Sequence, residues 1–283
     1  MGAVTAIRRR SRAGATDGHG RRYAILYSSS VEQHDTNTLE FCYRTLVDRF
    51  AFDPGDIQVL IGDTSLTDRC GRLLSWSGGD GRSRFRMQVT GRGDKAALKY
   101  ALGALRLKIR SEDLVFIHTS GHGFDVSTRD NPEAALMTYL GGPYGAKEFC
   151  ADLGALPPHR ALIVLMAQCH SGGFNEPMVS ASRATQTYIA SAVPLGVLAN
   201  VTPDGCWNAF ACNWIAALGE RTDGSPVDAD TDRNGPIAMC EAFAYATGVN
   251  ATYPQELRDE PLQTSSSPTA LLLTLEASIR ALE

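Results

Sequence analysis

The chain has 283 residues, a formal net charge of −4 and 43% hydrophobic residues, enough for one large domain with a sizeable core. Mild acidity gives no global attraction to nucleic acid, and no apolar run reaches the roughly 18 residues a membrane helix requires, so neither nucleic acid nor membrane is an expected partner. The 7 cysteines are scattered without paired spacing, mostly inside apolar segments, which predicts free thiols in a reducing compartment, with the cytoplasm as the expected location.

Residues 1–21 are rich in Arg, Gly and Ala, with Asp17 their one acid. They lack the apolar core of a secretory signal and read as a disordered basic leader, with an organelle transit peptide as the second reading. Residues 22–283 read as one domain. Tyr23–Tyr27 is a short apolar strand that breaks at Ser28-Ser29-Ser30. Thr38 to Phe50 places Leu39, Cys42, Tyr43, Leu46, Val47 and Phe50 on one helical face, and Asp56–Ile61 is a second strand. Thr64–Arg92 interrupts this rhythm with Gly, Ser and Arg, and predicts an exposed excursion with a hairpin around Phe85–Val89. Asp94 is placed to cap the next helix, where Leu98, Ala101, Leu102, Leu105 and Ile109 share a face. Asp113–Thr119 is a third strand, Ala135–Leu140 an edge strand or hairpin arm, and Gly145–Leu156 a helix ended by Pro157-Pro158. A strand over Leu162–Ala167 follows, then a strand over Gln186–Val193, helices over Asn208–Leu218 and Glu241–Thr247, and a final strand over Ala270–Leu275. Strands alternating with helices predict a three-layer α/β/α sandwich.

Two strands share one design. Leu114-Val115-Phe116-Ile117-His118 runs into Thr119-Ser120-Gly121-His122-Gly123. Leu162-Ile163-Val164-Leu165-Met166 runs into Ala167-Gln168-Cys169-His170-Ser171-Gly172-Gly173. Side chains at the carboxyl ends of such strands lie where α/β sheets place their active sites. A thiol at its ordinary pKa is only slightly ionised at neutral pH, so a nucleophilic cysteine needs a partner such as imidazole. The imidazole also protonates the leaving amine. The developing oxyanion needs backbone N–H groups aimed at it, and the glycines beside His122 and Cys169 suit that need. Taken singly, Cys169 reads as a core thiol and His122 as a turn residue; together, each at a strand end with glycines behind, they read as a nucleophile and its acid/base. His118, inside its strand, reads as a core residue. A zinc site drawn from His118, His122, Cys169 and His170 has poorly specified ligand spacing.

The Ser-Gly-His-Gly and Gln-Cys-His-Ser-Gly motifs resemble the caspase/metacaspase/legumain superfamily of cysteine peptidases, over roughly Arg22 to Leu275. The resemblance implies an α/β sandwich around a mainly parallel six-stranded sheet, His122 as acid/base, Cys169 as nucleophile, and an oxyanion hole from the Gly123 and Cys169 amides. It implies hydrolysis of a protein or peptide substrate without an organic cofactor. The chain departs from its relatives at Ala167-Gln168, where metacaspases carry an acid two positions before the cysteine. The loop after the first strand holds Glu32, His34 and Asp35 but none of the arginine that caspases use to read aspartate. An acidic loop favours Lys or Arg before the scissile bond by Coulomb attraction, with asparagine second and aspartate third. Asp35, His34, Gln168 and Trp207 are the candidate pocket residues. With such a preference, the Thr64–Arg92 excursion is a place for self-cleavage. Two other readings share these motifs: a non-catalytic module that binds partners or calcium, and a peptide ligase using the same acyl-enzyme.

Residues 230–241 follow the Asp-x-Asp-x-Asn-Gly…Glu pattern of a calcium loop. Asp230, Asp232 and Asn234 offer side-chain oxygens, Pro236 its carbonyl, and Glu241 a closing carboxylate, while Gly235 permits the sharp turn. The competing reading is a metal-free Asp/Asn/Gly turn. Metacaspases, by resemblance, are often calcium-dependent, so Ca2+ is the expected cofactor.

Overall fold

A computed structural model describes residues 20–68, 70–79 and 84–275. Residues 1–19 of the expected leader lie outside the described residues. Gly20 and Arg21, which composition assigns to that leader, already belong to the fold: Arg21 N donates to Asp113 Oδ1 at 2.6 Å, and Leu114 N donates to Arg21 O at 2.9 Å.

The chain runs β1 (Arg22–Ser28), α1 (Gln33–Arg44), β2 (Ile57–Ile61), α2 (Lys95–Lys108), β3 (Leu114–Ser120), β4 (Gly123–Asp125), β5 (Ala134–Leu136), β6 (Tyr144–Gly145), α3 (Ala146–Gly154), β7 (His159–Met166), α4 (Asn175–Ala181), β8 (Ala184–Ser191), α5 (Ala209–Ala217), α6 (Met239–Asn250) and β9 (Leu262–Ser265). Six strands form one sheet in the order β2-β1-β3-β7-β8-β9. All pair parallel except β9, which runs antiparallel to β8. β4, β5 and β6 make a small antiparallel sheet that begins three residues beyond β3.

The continuous apolar runs of β1, β3 and β7 follow from burial on both faces. Along β1, Ala24 and Leu26 point to one core and Tyr23, Ile25 and Tyr27 to the other. The first core is covered by α1, α5 and α6, and the second by α2, α3 and α4. The result is the expected three-layer α/β/α sandwich.

Several elements differ from the sequence reading. α1 begins at Gln33 rather than Thr38, because its first turns are buried as polar residues: Asp35, Thr36, Asn37 and Thr38 are 0–1% exposed. An apolar pattern does not register such burial. At its other end the helix widens into a π turn over Thr45–Arg49. No hairpin forms among the described residues around Phe85–Val89. The buried Glu40 carboxylate instead accepts Arg86 N at 2.7 Å and Met87 N at 2.8 Å, and pairs with Arg44 Nε at 2.5 Å, so a side chain tethers this segment. Ala270–Leu275 is not a strand. Pro268–Leu272 forms a 3-10 turn started by Ser267 Oγ, which accepts Ala270 N at 3.3 Å, and the sheet edge is taken by Leu262–Ser265. Helix α4, over Asn175–Ala181, escaped the periodicity reading because it is short and carries Pro177. In the first turn a proline costs no hydrogen bond.

Candidate active site

β3 and β7 are adjacent and parallel, so their carboxyl ends deliver the two motifs to one edge. Ala167 N donates to Thr119 O at 2.9 Å, which continues the register as far as the turns. β3 ends at Ser120, and the chain turns at Gly121, whose φ of +89° suits glycine. A Cβ there would meet Ser29 Oγ at 2.6 Å and Ser29 N at 3.1 Å. The chain then turns to expose His122, whose side chain is 46% accessible.

This turn is fixed by Asp35. Its Oδ1 accepts Ser120 Oγ at 2.5 Å, Gly121 N at 3.0 Å and Asn208 Nδ2 at 3.1 Å, and its Oδ2 accepts Ser30 Oγ at 2.5 Å. Burial opposes ionisation of this carboxyl. The neighbouring His34, the hydroxyls of Ser120 and Ser30, and the Asn208 amide outweigh burial and hold it below the usual carboxylate range. The reading of Asp35 as a contact for substrate is therefore corrected. It is 1% exposed, its oxygens are committed internally, and it locks the loop that carries His122.

After β7, His170 adopts the left-handed region at φ +60°. Its N donates to Val197 O at 2.9 Å, and its Nδ1 accepts Gly196 N at 3.1 Å. His170 thereby pins the loop after β8 against the cysteine turn. From that loop Ala199 N donates to Cys169 Sγ at 3.3 Å. The next amide, Asn200 N, and Phe210 N are held by buried Asp259 at 2.7 and 3.1 Å. Burial raises the Asp259 carboxyl to about 6 despite these donors.

The two motifs meet through their backbones. A Cβ at Gly123 would overlap the Cys169 carbonyl oxygen, and would lie 2.9 Å from Gln168 Cγ and 3.1 Å from the Cys169 carbonyl carbon. The ladder also orients Gly123. It pairs with Leu136, yet the bond that closes this pair runs from Met137 N to His122 O at 3.0 Å. That makes Gly123 and Leu136 a non-hydrogen-bonded pair, so the Gly123 N–H points away from β5. Among the described residues the Cys169 N–H donates to no protein acceptor. Among the described residues the Gly123 and Cys169 N–H groups are thus both left without a protein acceptor. No hydrogen bond joins the thiol to the imidazole among the described residues. His122 Nε2 instead lies 3.8 Å from Glu32 Oε1.

The remaining pocket candidates divide. His34 Nε2 lies 3.6 Å from both Glu32 and Asp35 and lines a cleft of about 1090 Å³ together with His122. Gln168 is 1% exposed; its Oε1 accepts Thr119 Oγ1 at 2.8 Å while its Nε2 has no partner, so it braces β7 on β3 rather than lining an open pocket. Trp207 is 5% exposed. Its ring stands edge-on to Trp76, with centroids 5.2 Å apart, and against Phe41 at 6.1 Å. It is an aromatic core residue outside the His122 cleft. His118 is a core residue as expected: Nδ1 meets Leu165 O at 2.9 Å, and burial lowers its pKa to about 4. Its Nε2 is buried without a partner. Among the described residues, His118, His122, Cys169 and His170 do not converge as metal ligands.

The 230–241 loop closes on itself. Oxygens of Asp230, Asp232 and Glu241 lie within 4.8 Å of one another. Gly235, at φ +97°, donates its N–H to Asp230 Oδ2 at 2.8 Å, and Asn234 Nδ2 donates to Asp232 Oδ2 at 2.7 Å. Glu241 Oε2 accepts Ala238 N at 3.0 Å at the start of α6, and its Oε1 accepts Thr231 N at 2.7 Å. Burial works against the Glu241 charge, but these N–H groups and the Thr231 hydroxyl keep its carboxyl below the usual range. An all-oxygen donor set of this kind fits a hard cation such as Ca2+.

Ser120 in its motif and Glu32 in the acidic loop are named from sequence without a role of their own, and Asn208, Ala199 and Asp259 carry no site reading there. Ser120 and Glu32 stand beside noted residues, but the other three reach the site only through tertiary folding, and their own segments carry no signal for it.

No protein-family model matches the sequence, and no curated protein matches it. Among solved structures, the chain is similar to protein GSU0716 from Geobacter sulfurreducens, with a TM-score of 0.54 and 13% identity over 91% of this chain and 99% of that one. At that identity the likeness is one of fold alone: an α/β sandwich with a six-stranded, mostly parallel sheet.

Proposed function

We propose that the chain is a cysteine endopeptidase of the caspase/metacaspase/legumain type. The observation that carries this reading is the close approach of Gly123 to the Cys169 carbonyl, which brings the motif of an exposed imidazole against the motif of the thiol. The Cys169 sulfur, its proton passed to His122, attacks the scissile carbonyl. The Gly123 and Cys169 N–H groups receive the charge that develops on its oxygen. His122 gives its proton to the departing amine, and then takes one from the water that hydrolyses the thioester. Asp35 holds the His122 loop and adds a buried negative charge, so a basic side chain before the scissile bond is favoured by its field rather than by contact.

Asp230, Asp232, Asn234, the Pro236 carbonyl and Glu241 would hold Ca2+. A bound cation would neutralise the crowded carboxylates and fix the start of α6, whose Met239 carbonyl accepts the hydroxyl of buried Tyr188 on β8 at 3.1 Å.

The test is cleavage of fluorogenic peptides ending in Arg, Lys, Asn or Asp, with calcium and with chelator. The wild-type chain is compared with Cys169→Ala and His122→Ala. Turnover after one residue type that both substitutions abolish is the expected result. Turnover that persists in Cys169→Ala sinks the assignment.

A further inference from the structure

Asn208 stands immediately before the first residue of α5, where an asparagine side chain ordinarily accepts an N–H of the first helical turn. Here it makes no such cap. Its Nδ2 instead donates to Asp35 Oδ1 at 3.1 Å and to Ser120 Oγ at 2.8 Å. Chemistry fixes the orientation of this amide, because an ionised carboxylate can only accept. The cap comes from elsewhere: Phe210 N, the second amide of the helix, donates at 3.1 Å to Oδ2 of Asp259, an acid 49 residues further along the chain. A preferred capping residue has given up its local bond, and a distant residue has taken it over. A local rule broken in this way and compensated from a distance marks a position under functional constraint.

The exchange connects two places. On one side Ser120 and Asp35 fix the turn that carries His122, since Asp35 Oδ1 also accepts Ser120 Oγ and Gly121 N. On the other side Asp259 Oδ1 accepts Asn200 N at 2.7 Å, and Asn200 O accepts Ala209 N at 3.1 Å. Both backbone groups of Asn200 are therefore gripped at the start of α5. Asn200 follows Ala199, whose N–H donates to Cys169 Sγ.

The anchor itself is firm. Asp259 N donates to Oδ1 of Asn250, the last residue of α6, at 3.0 Å, and Asn250 Nδ2 donates back to Asp259 O at 2.8 Å. Asn208, Asp259 and Asn250 are all buried, and α5 packs Phe210, Trp214 and Ile215 into the core. A close-packed interior transmits displacement rather than absorbing it, so the start of α5 sets the places of the segments bonded to it.

We propose that Asn208 and Asp259 are paired positioning residues. The first turn of α5 holds the His122 turn through Asn208 and the loop beside Cys169 through Asp259, and so sets the imidazole and the thiol relative to each other. Both residues act through others rather than on the reacting atoms. That the tie serves catalysis rests on the peptidase reading above; the tie itself does not.

Two readouts on the full-length chain separate these. Hydrogen exchange resolved by peptide reads the tie without reference to turnover. Asn208→Ser keeps a residue as good at a helix start as asparagine, but one with a shorter reach and a single proton to donate. Exchange at Gly121, whose N–H Asp35 holds, should quicken about tenfold or more, while the interior of α5 exchanges as in wild type. Asp259→Asn leaves one oxygen for two N–H groups, and exchange over residues 196–200 should quicken about as much. The remote Asp223→Asn should leave both segments unchanged. In turnover of the preferred fluorogenic peptide, Asn208→Ser and Asp259→Asn should each lower kcat about 10- to 100-fold with KM within about threefold, because a misplacement of about 1 Å costs about 100-fold. A residue that only supports the fold would lower the melting temperature and leave the kcat of the folded protein alone. Wild-type exchange in either segment, or quickened exchange with kcat unchanged, overturns the proposal. Asp259→Asn is isosteric, so the test stands even where Asn208→Ser does not fold. A wild-type chain without turnover, with both exchange effects present, marks failure of the peptidase reading and leaves the tie standing.

Discussion

Replacing Gly123 with alanine tests the contact on which the active-site assignment rests. Gly123 is not in the left-handed region, so the effect comes from space rather than from backbone strain. The added methyl would overlap the Cys169 carbonyl oxygen and press on Gln168 Cγ at 2.9 Å and the Cys169 carbonyl carbon at 3.1 Å. Ordinary carbon contacts are about 3.5–4 Å, and both opposing groups belong to a turn braced by Thr119 and His170. The turn must therefore move by on the order of 1 Å, or β4 must peel from it. Overpacking of this kind costs about 1–3 kcal/mol, a fall in melting temperature of roughly 2–10 °C for a domain of this size. The functional cost is larger. A shift of about 1 Å in reacting geometry lowers the rate about 100-fold, and misdirecting one oxyanion donor lowers kcat about 100- to 1000-fold. Steady-state kinetics on the preferred fluorogenic peptide and thermal melts in parallel give both numbers. The expected pattern is a loss in kcat far greater than the loss of stability explains. A Gly123→Ala protein with wild-type kcat and wild-type melting would refute the juxtaposition of the two motifs.

Asp35→Ala leaves the hydroxyls of Ser30 and Ser120, the Asn208 amide and the Gly121 N–H without their acceptor. A destabilisation of about 3–5 kcal/mol is expected in urea melts, with turnover falling because the His122 loop is released. A loss under 1 kcal/mol would contradict the network. Asp259 carries a pH signature: its folded carboxyl titrates at about 6 against an ordinary 3.8, so the folded state holds the proton more tightly. That contribution is fully present below about pH 4 and is lost as pH rises through about 6, by about 3 kcal/mol at most. Asp259→Asn should remove this fall when urea midpoints are compared with wild type from pH 4 to 7, and parallel profiles for the two chains would contradict it. Calcium at about 100 times its Kd should stabilise the chain by about 2.7 kcal/mol and raise its melting temperature. Asp230→Ala should abolish that rise; a calcium effect of equal size in the variant would move the site elsewhere.

How much was legible in the sequence follows from the range of the interactions involved. The branched apolar runs of β1, β3 and β7 are local signals that permit little but buried strands, and the glycine-flanked His122 and Cys169 that follow two of them are legible as turns at one edge of the sheet. The Asp230–Glu241 pattern is equally local, because every donor it needs lies within twelve consecutive residues. Asp94 capping α2, through Ala97 N at 2.8 Å, is a three-residue interaction and was read correctly for the same reason. What failed was burial by hydrogen bonding. Asp35 is as polar in sequence as any surface acid, and only folding brings Ser120 and Asn208 to it across separations of 85 and 173 residues. Trp207 signalled a pocket by its type, yet its place is set by Trp76 and Phe41 from distant segments. Gln168 beside Cys169 suggested a specificity contact, but Thr119 on the neighbouring strand takes its oxygen. The final strand was misplaced because two short segments, 262–265 and 270–275, compete for one sheet edge, and the winner is decided by antiparallel pairing with Tyr188–Ser191 rather than by apolar content. The cleft shared by His34 and His122 is wholly tertiary, since segments far apart in the chain line it together.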